Sequence, residues 1–304
     1  MSKSVVEIAG KHLGQTVGEY SDLYDKSLLV KVPRYMNREA YDIDEKNLPF
    51  VGYDVWNCYE VSAITEKGRP VSGVLKISCP ADSKCHVESK SIKLYLNSFN
   101  MQQFGEHKDE CITIIEDIVA KDLSELLECD VKCKLHTQDS LKIDCSDTWI
   151  GFSGFTNIED VVDFDTTEFT SFKSDASQLE AADTKSTATA LHSDMLRSNC
   201  RVTNQPDWGD IYVYMKGEEV VTPMSLGRYI VSHRKVSHFH EEICEMVYKH
   251  LADRFNPDEL MVACLYTRRG GIDINPVRAS HKQLIDKYAA NLIDPEAVHI
   301  KTSK

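Results

Sequence analysis

Three stretches of this 304-residue chain carry groups that could make and break bonds. In Ser198 to Gly209 a thiol at Cys200 precedes a carboxylate at Asp207, with Gln205 and Pro206 between them. A hairpin there would bring a thiolate nucleophile beside an acid/base. A plainer reading also stands on these residue types, a buried strand cysteine followed by an ordinary Pro-Asp turn. Arg197 and Arg201 could lower the thiol pKa, although strand alternation could point either one away. In Ser237 to Glu242, His240 and Glu241 fall in the first turn of an expected helix, where acidic residues commonly serve only the helix dipole. The chemical reading has Glu241 accept hydrogen bonds from the N–H edge of a guanine-like heterocycle, with His240 beside the reacting group. Thr267 to Pro276 sets Arg268 and Arg269 next to Gly270 and Gly271. Glycine lets backbone approach a ligand and arginine can fork onto a phosphate, but a basic hairpin tip has the same composition.

A fourth stretch, Glu88 to Tyr95, opens a helix with a carboxylate and two lysines, Lys90 and Lys93, which a solvated face explains equally well. Neither a Gly-x-Gly-x-x-Gly run after a strand nor a P-loop is present, so a nucleotide would be held another way. Cys129, Cys133 and His136 form a possible metal run, but no second Cys/His pair stands at finger spacing, and no metal site is expected.

Positioning these groups requires particular elements. Val51 to Cys79 reads as strand, turn, strand around Glu66 to Pro70, and residues 89 to 127 as two helices, the second with Cys111, Ile114, Ile115, Ile118 and Val119 at helical spacing. Strand-like pieces follow near 129–136 and 141–146. The second half repeats the order: strands at Asn199 to Asn204 and Asp210 to Met215 around the turn formers Gln205 to Gly209, a helix capped by Thr222 with Pro223 first, and another capped by Ser237. Strands near 259–267 and 272–275 close it. Tyr95 to Phe99 aligns with Tyr229 to His233, and Phe104 to Cys111 with Phe239 to Cys244, so two ββααββ units are the simplest reading. Residues 163–190 lack Gly and Pro and are rich in Thr, Ser, Asp and Ala, which predicts an exposed acidic linker.

Composition narrows the class. With 35 Lys and Arg against 48 Asp and Glu, the net charge of -13 repels nucleic-acid phosphates and favours a small-molecule partner. No apolar run approaches the roughly 20 residues of a membrane helix, and Glu7 and Lys11 interrupt any signal-like start, so a cytoplasmic chain is expected. Ten cysteines are then read as reduced thiols.

In chain order, Glu88 to Leu96, Ser198 to Cys200 with Gln205 to Gly209, Phe239 to Glu241 and Thr267 to Pro276 together resemble the QueF family. These are NADPH-dependent nitrile reductases that convert 7-cyano-7-deazaguanine to 7-aminomethyl-7-deazaguanine in queuosine biosynthesis, a tRNA-modification pathway. The likeness is to the long form, and implies an α+β protein of tandem tunnelling-fold modules, ββααββ twice, with antiparallel sheets and helices on one face. Residues 1–162 would form the first module, 163–190 the linker and 191–304 the second. By motif position, Cys200 would be the nucleophile that forms a covalent thioimidate, Asp207 the general acid/base, and His240 an assistant to protonation. Val87, Glu88, Ser89, His240 and Glu241 would bind substrate, and Ser89, Lys90, Arg269 and Gly270 would contact NADPH, two of which are needed per turnover. No metal or flavin is implied, and no direct nucleic-acid or membrane partner; a homodimer is.

Aligned by Tyr95 and Tyr229, Glu88 falls opposite Thr222, so the halves differ and a complete site would need both. The linker, the tail after Pro276 and Cys85-His86 match no family motif. The rival reading is a sister amidinotransferase-like enzyme that adds an amine to the same thioimidate. A zinc-dependent cyclohydrolase and a non-catalytic purine binder stand further off.

Overall fold

The computed structural model describes Glu7 and residues 21–137, 152–183 and 187–297. In chain order its elements are β1 (Lys31–Pro33), α1 (Tyr35–Arg38), β2 (Val51–Ile64), β3 (Pro70–Pro80), β4 (Cys85–Val87), α2 (Ser89–Asn97), α3 (Lys108–Leu127), β5 (Lys132–His136) and β6 (Thr156–Asn157). Then follow β7 (Ala188–Cys200), β8 (Pro206–Lys216), α4 (Pro223–Val231), β9 (Ser237–His238), α5 (His240–Phe255), β10 (Glu259–Tyr266), β11 (Ile272–Ala279), α6 (Lys282–Tyr288) and α7 (Ala290–Ile293). The chain is a mixed α+β protein with one large sheet in the order β5-β3-β2-β11-β10-β8-β7-β6, plus β9 beside β7. Apart from the short β6–β7 and β7–β9 contacts, its pairs are antiparallel. β2 against β11, from Cys58 opposite Ile272 to Val51 opposite Ala279, joins the two halves into that sheet. The strand expected at 141–146 lies outside the described residues.

Repetition goes deeper than the sequence alignment. β2 and β7 each shift register in the same place, between Cys58 and Val61 and between Ser193 and Leu196. Ser98 and Ser232 each return a hydroxyl to the carbonyl of the preceding tyrosine at 2.6 Å, and each accepts a backbone N–H, from Asp25 and Asp175. Those aspartates in turn cap short 3-10 turns at Ser27 and Ser177. Residues 163–183, expected to be exposed linker, therefore include a strap like the one at 25–29. Leu179 is buried in the second core, and the ring of Phe164 packs so tightly on Gly227 that a Cβ there would collide with it. The polar side chains that suggested disorder are spent on local turns, which composition does not reveal.

Alternation along β10 explains the layers. Leu260, Val262, Cys264 and Tyr266 face α4 and α5, whereas Met261, Ala263 and Leu265 face Leu284, Ile285 and Leu292 of α6 and α7. The expectation of helices on one face is thus corrected: the tail after Pro276 extends β11 to Ala279 and then covers the opposite face. That tail is pinned by Lys76 of β3, whose Nζ donates to the carbonyls of Asn291, Asp294 and Ala297 at 2.7–2.8 Å, and by His136 against the carbonyl of Pro295. Burial pushes the Lys76 ammonium from the usual 10.5 down to about 8. The unfolded chain holds this proton up to pH 10.5 and the folded chain only to about 8, so stability should rise with pH across that window. Denaturation of Lys76→Met at a series of pH values should show the rise flattened by on the order of 1–3 kcal/mol; an unchanged slope would rule Lys76 out as its source.

Candidate active site

The β7–β8 hairpin positions the thiol and the carboxylate. Ser198 pairs with Asp207 and Asn199 with Pro206, and the Cys200 N–H donates to the Gln205 carbonyl at 2.8 Å. Side chains two apart on a strand share a face, so Cys200 and Asp207 are diagonal neighbours. The turn is 201–205, closed by Asn204 in the left-handed region (φ 56°), and Pro206 to Gly209 lie within β8. Strand and turn were thus expected a few residues too far along; Pro206 begins a strand, a position where its missing N–H costs no ladder bond.

A second contact brings up the start of α5. β9 runs parallel to β7 with His238 beside Cys200. Ser237 belongs to this strand and bonds Asn204, so the helix cap is Phe239 rather than Ser237, and Glu242 reaches back to the Phe239 N–H at 3.3 Å. His240, the first residue of α5, stacks on Tyr266 with ring centroids 3.7 Å apart, and its Nε2 lies 3.4 Å from Asp207 Oδ2. Arg269 donates to Asp207 Oδ1 and, at 2.6 Å, to Gln205. Burial alone would raise the Asp207 pKa, but the hydrogen bond and charge of His240 and the guanidinium of Arg269 hold it below the usual carboxylate value. Arg197 and Arg201 do not serve the thiol: Arg197 donates to the Arg234 carbonyl, and Arg201 grips Glu242 at 2.6–2.7 Å.

The opposite wall comes from the first half. β4 pairs with β1 and delivers Val87 and Glu88 to the start of α2. Glu88 caps that helix, accepting from the N–H groups of Lys90 and Ser91 at 2.9 and 2.7 Å. Burial nevertheless pushes its carboxyl upward. Thr222, aligned with Glu88, caps α4 in the same way through Ser225, so the two positions share a local task and differ in charge. Lys93 bonds the Gly270 carbonyl at 2.6 Å and Glu60 at 3.1 Å, tying α2 to the β10–β11 turn, where Gly270 and Gly271 take left-handed φ of 57° and 82°.

Between these walls is a cavity of about 450 Å³, within the usual small-molecule range of roughly 300–1,000 Å³. Cys200, Asp207, His240, Val87, Glu88, Ser89, Glu241, Lys90, Arg269 and Gly270 all line it. Trp56, His86, Lys93, Phe239, Ile272 and Ile274 do too; of these, sequence reasoning had offered only Lys93 as a chemical group. For Trp56 and the isoleucines the signal was strand alternation, which marks a face without saying what covers it. The run from Cys129 to His136 does not converge: Cys129 sits 3.7 Å from Cys79, while His136 holds the tail. Among the described residues no group of three or more His, Cys, Asp or Glu is arranged to hold a metal ion, and no helix is long and apolar enough to cross a membrane.

Residues 20–135 match the family model for the N-terminal part of nitrile reductase, 7-cyano-7-deazaguanine reductase, and residues 206–284 match that for QueF-like proteins. The chain is 36% identical over 287 residues to the NADPH-dependent 7-cyano-7-deazaguanine reductase of Colwellia psychrerythraea strain 34H, covering 92% of this chain and 94% of that one. A solved structure of archaeosine synthase QueF-Like in the apo form aligns with 32% of this chain and 98% of its own, at 15% identity and a TM-score of 0.30. With motifs from both halves converging on one cavity and likeness along nearly its whole length, the chain belongs to the QueF family of nitrile reductases.

Proposed function

We propose that this chain reduces the nitrile of 7-cyano-7-deazaguanine to the aminomethyl group, on a tandem tunnelling fold whose halves, 1–162 and 191–304, each supply one wall of the site. The observation that carries the reading is the cavity in which Cys200, Asp207, His240, Glu88 and Glu241 meet. Glu88 and Glu241 accept hydrogen bonds from the N–H groups of the heterocycle, and Val87 and Ser89 shape its seat. Asp207, ionised because His240 and Arg269 lower its pKa, takes the Cys200 proton as Sγ bonds the nitrile carbon. The same proton passes to the nitrile nitrogen, giving a neutral thioimidate. His240, fixed against Tyr266, supplies protons as the carbon is reduced.

The residues present fit a dinucleotide at the cavity mouth. Lys90 lines it and makes no ion pair among the described residues, and Gly270, without a side chain, lines it too. NADPH, when bound, supplies the hydrides, two for the four-electron reduction. Arg269, expected on its phosphate, is held by Asp207 and Gln205 here, so a phosphate must compete with that pair. No metal or flavin enters the scheme. The working unit is proposed to be a cytoplasmic homodimer, which sedimentation would test.

Intact-mass measurement after mixing with the nitrile should show an adduct, and added NADPH should be oxidised. An adduct without oxidation would favour the amine-adding rival. Asp207→Asn should slow adduct formation by roughly 10²–10⁴-fold; normal formation would remove Asp207 from the proton path.

A further inference from the structure

One polar side chain in the cavity wall has been given no task. His86, on β4, is 4% exposed, and neither ring nitrogen makes a hydrogen bond. Its ring packs edge-on against Phe239 with centroids 5.0 Å apart, and its Nδ1 lies 3.6 Å from Glu241 Oε1, which itself has no hydrogen-bond partner. Unmade bonds on a buried imidazole and a buried carboxylate, side by side and both facing one cavity, are costly unless something entering it completes them.

We propose that His86 is a specificity-determining residue for the substrate heterocycle, donating a ring N–H to the carbonyl oxygen next to the edge that Glu241 reads. This rests on the function proposed above. A carboxylate only accepts, so Glu241 can pair with a ring N–H and the exocyclic amino group but not with the adjacent carbonyl. An imidazole ring N–H supplies the donor that Glu241 lacks. Together they match the donor-donor-acceptor order of a guanine-like edge. An adenine-like edge would set its unprotonated ring nitrogen against Glu241, a mismatch that no change of His86 tautomer repairs.

The test compares the nitrile substrate with its thiocarbonyl analogue, in which sulfur, a weak acceptor, replaces the carbonyl oxygen while the ring N–H is kept, in the unaltered enzyme, His86→Leu and His86→Gln. The unaltered enzyme should favour the oxygen-bearing substrate by roughly 10–100-fold in kcat/KM, chiefly through KM. His86→Leu keeps an apolar body against Phe239 and should lose that preference, with kcat within about threefold. His86→Gln retains an N–H donor and should recover part of it. If the leucine variant, folded by circular dichroism, still discriminates as the unaltered enzyme does, His86 does not read the carbonyl. If the unaltered enzyme forms no adduct with either nitrile, the function itself is overturned, and this role with it.

Discussion

Cys200→Ala should leave a folded protein that forms no adduct with 7-cyano-7-deazaguanine and reduces it at least roughly 10⁴-fold more slowly, the order lost when a covalent nucleophile is removed. The size follows from the reaction. A nitrile carbon accepts hydride poorly, and thiolate addition converts it to a thioimidate that accepts hydride readily. No other group described at this site can take that role: Asp207 is engaged by Arg269 and His240, and the thiol of Cys244, on α5, is fully buried against the carbonyls of Val262 and Pro276. Folding should survive because Cys200 ends its strand and its paired groups are backbone, the N–H to Gln205 and the carbonyl from Asn204. Intact mass and NADPH consumption measure the two effects separately. Residual reduction within tenfold of the parent would show that hydride reaches the nitrile without sulfur.

A comparably large effect on stability is expected at Glu245, which touches no part of the cavity. Its carboxylate accepts from Arg38 Nε and Nη2 at 2.9 and 2.8 Å and from Arg278 Nη2 at 2.8 Å. Arg278 also reaches Asp54 at 2.8 Å, and Arg34 bonds Asp54 at 2.5 Å. All five side chains are buried, and they join α1 and β2 of the first half to α5 and β11 of the second. Glu245→Ala would leave three buried guanidiniums, Arg34, Arg38 and Arg278, with Asp54 as their one buried carboxylate, at a cost of about 3–5 kcal/mol. That corresponds to a fall in Tm of roughly 5–8 °C for a chain of this length. Glu245→Gln, which keeps the shape but not the charge, should fall between.

The pH dependence of that network follows from its carboxylates. Although burial raises both, Arg278 and Arg34 hold Asp54 down to about 2, and Arg278 and Arg38 hold Glu245 below its usual value. Their contribution is complete at neutral pH and is lost in acid, as the pH falls below the unfolded carboxylate values and through the folded ones. A Tm for Glu245→Ala within a degree of the parent would mean that apolar packing alone holds the halves together.

Much of the site was legible beforehand because its motifs combine residue type with fixed local geometry. Cys200 and Asp207 are close because a short turn permits one register, and Glu88 sits where it does because a helix start needs an acceptor. Local spacing misplaced the edges of that hairpin and the cap of α5, where pairing with β9 outweighed the preference of Ser237 for a cap. The strap at 163–183 was hidden because its order comes from hydrogen bonds to Ser232 and packing on Gly227, neither visible in a composition rich in Ser, Thr and Asp.

The amino-acid order by itself determined the periodicities, the starts of α2 and α4 and the reactive groups, since each depends on residues within a turn or a hairpin of one another. Which groups share a cavity was decided only by the β2–β11 seam, which joins strands more than two hundred residues apart and sets His86 and Glu88 across from Cys200. The same long-range pairing chose the partners of Arg269, His240 and the buried arginines, and with them the protonation of Asp207. Charges act through space, and the chain order does not state those distances.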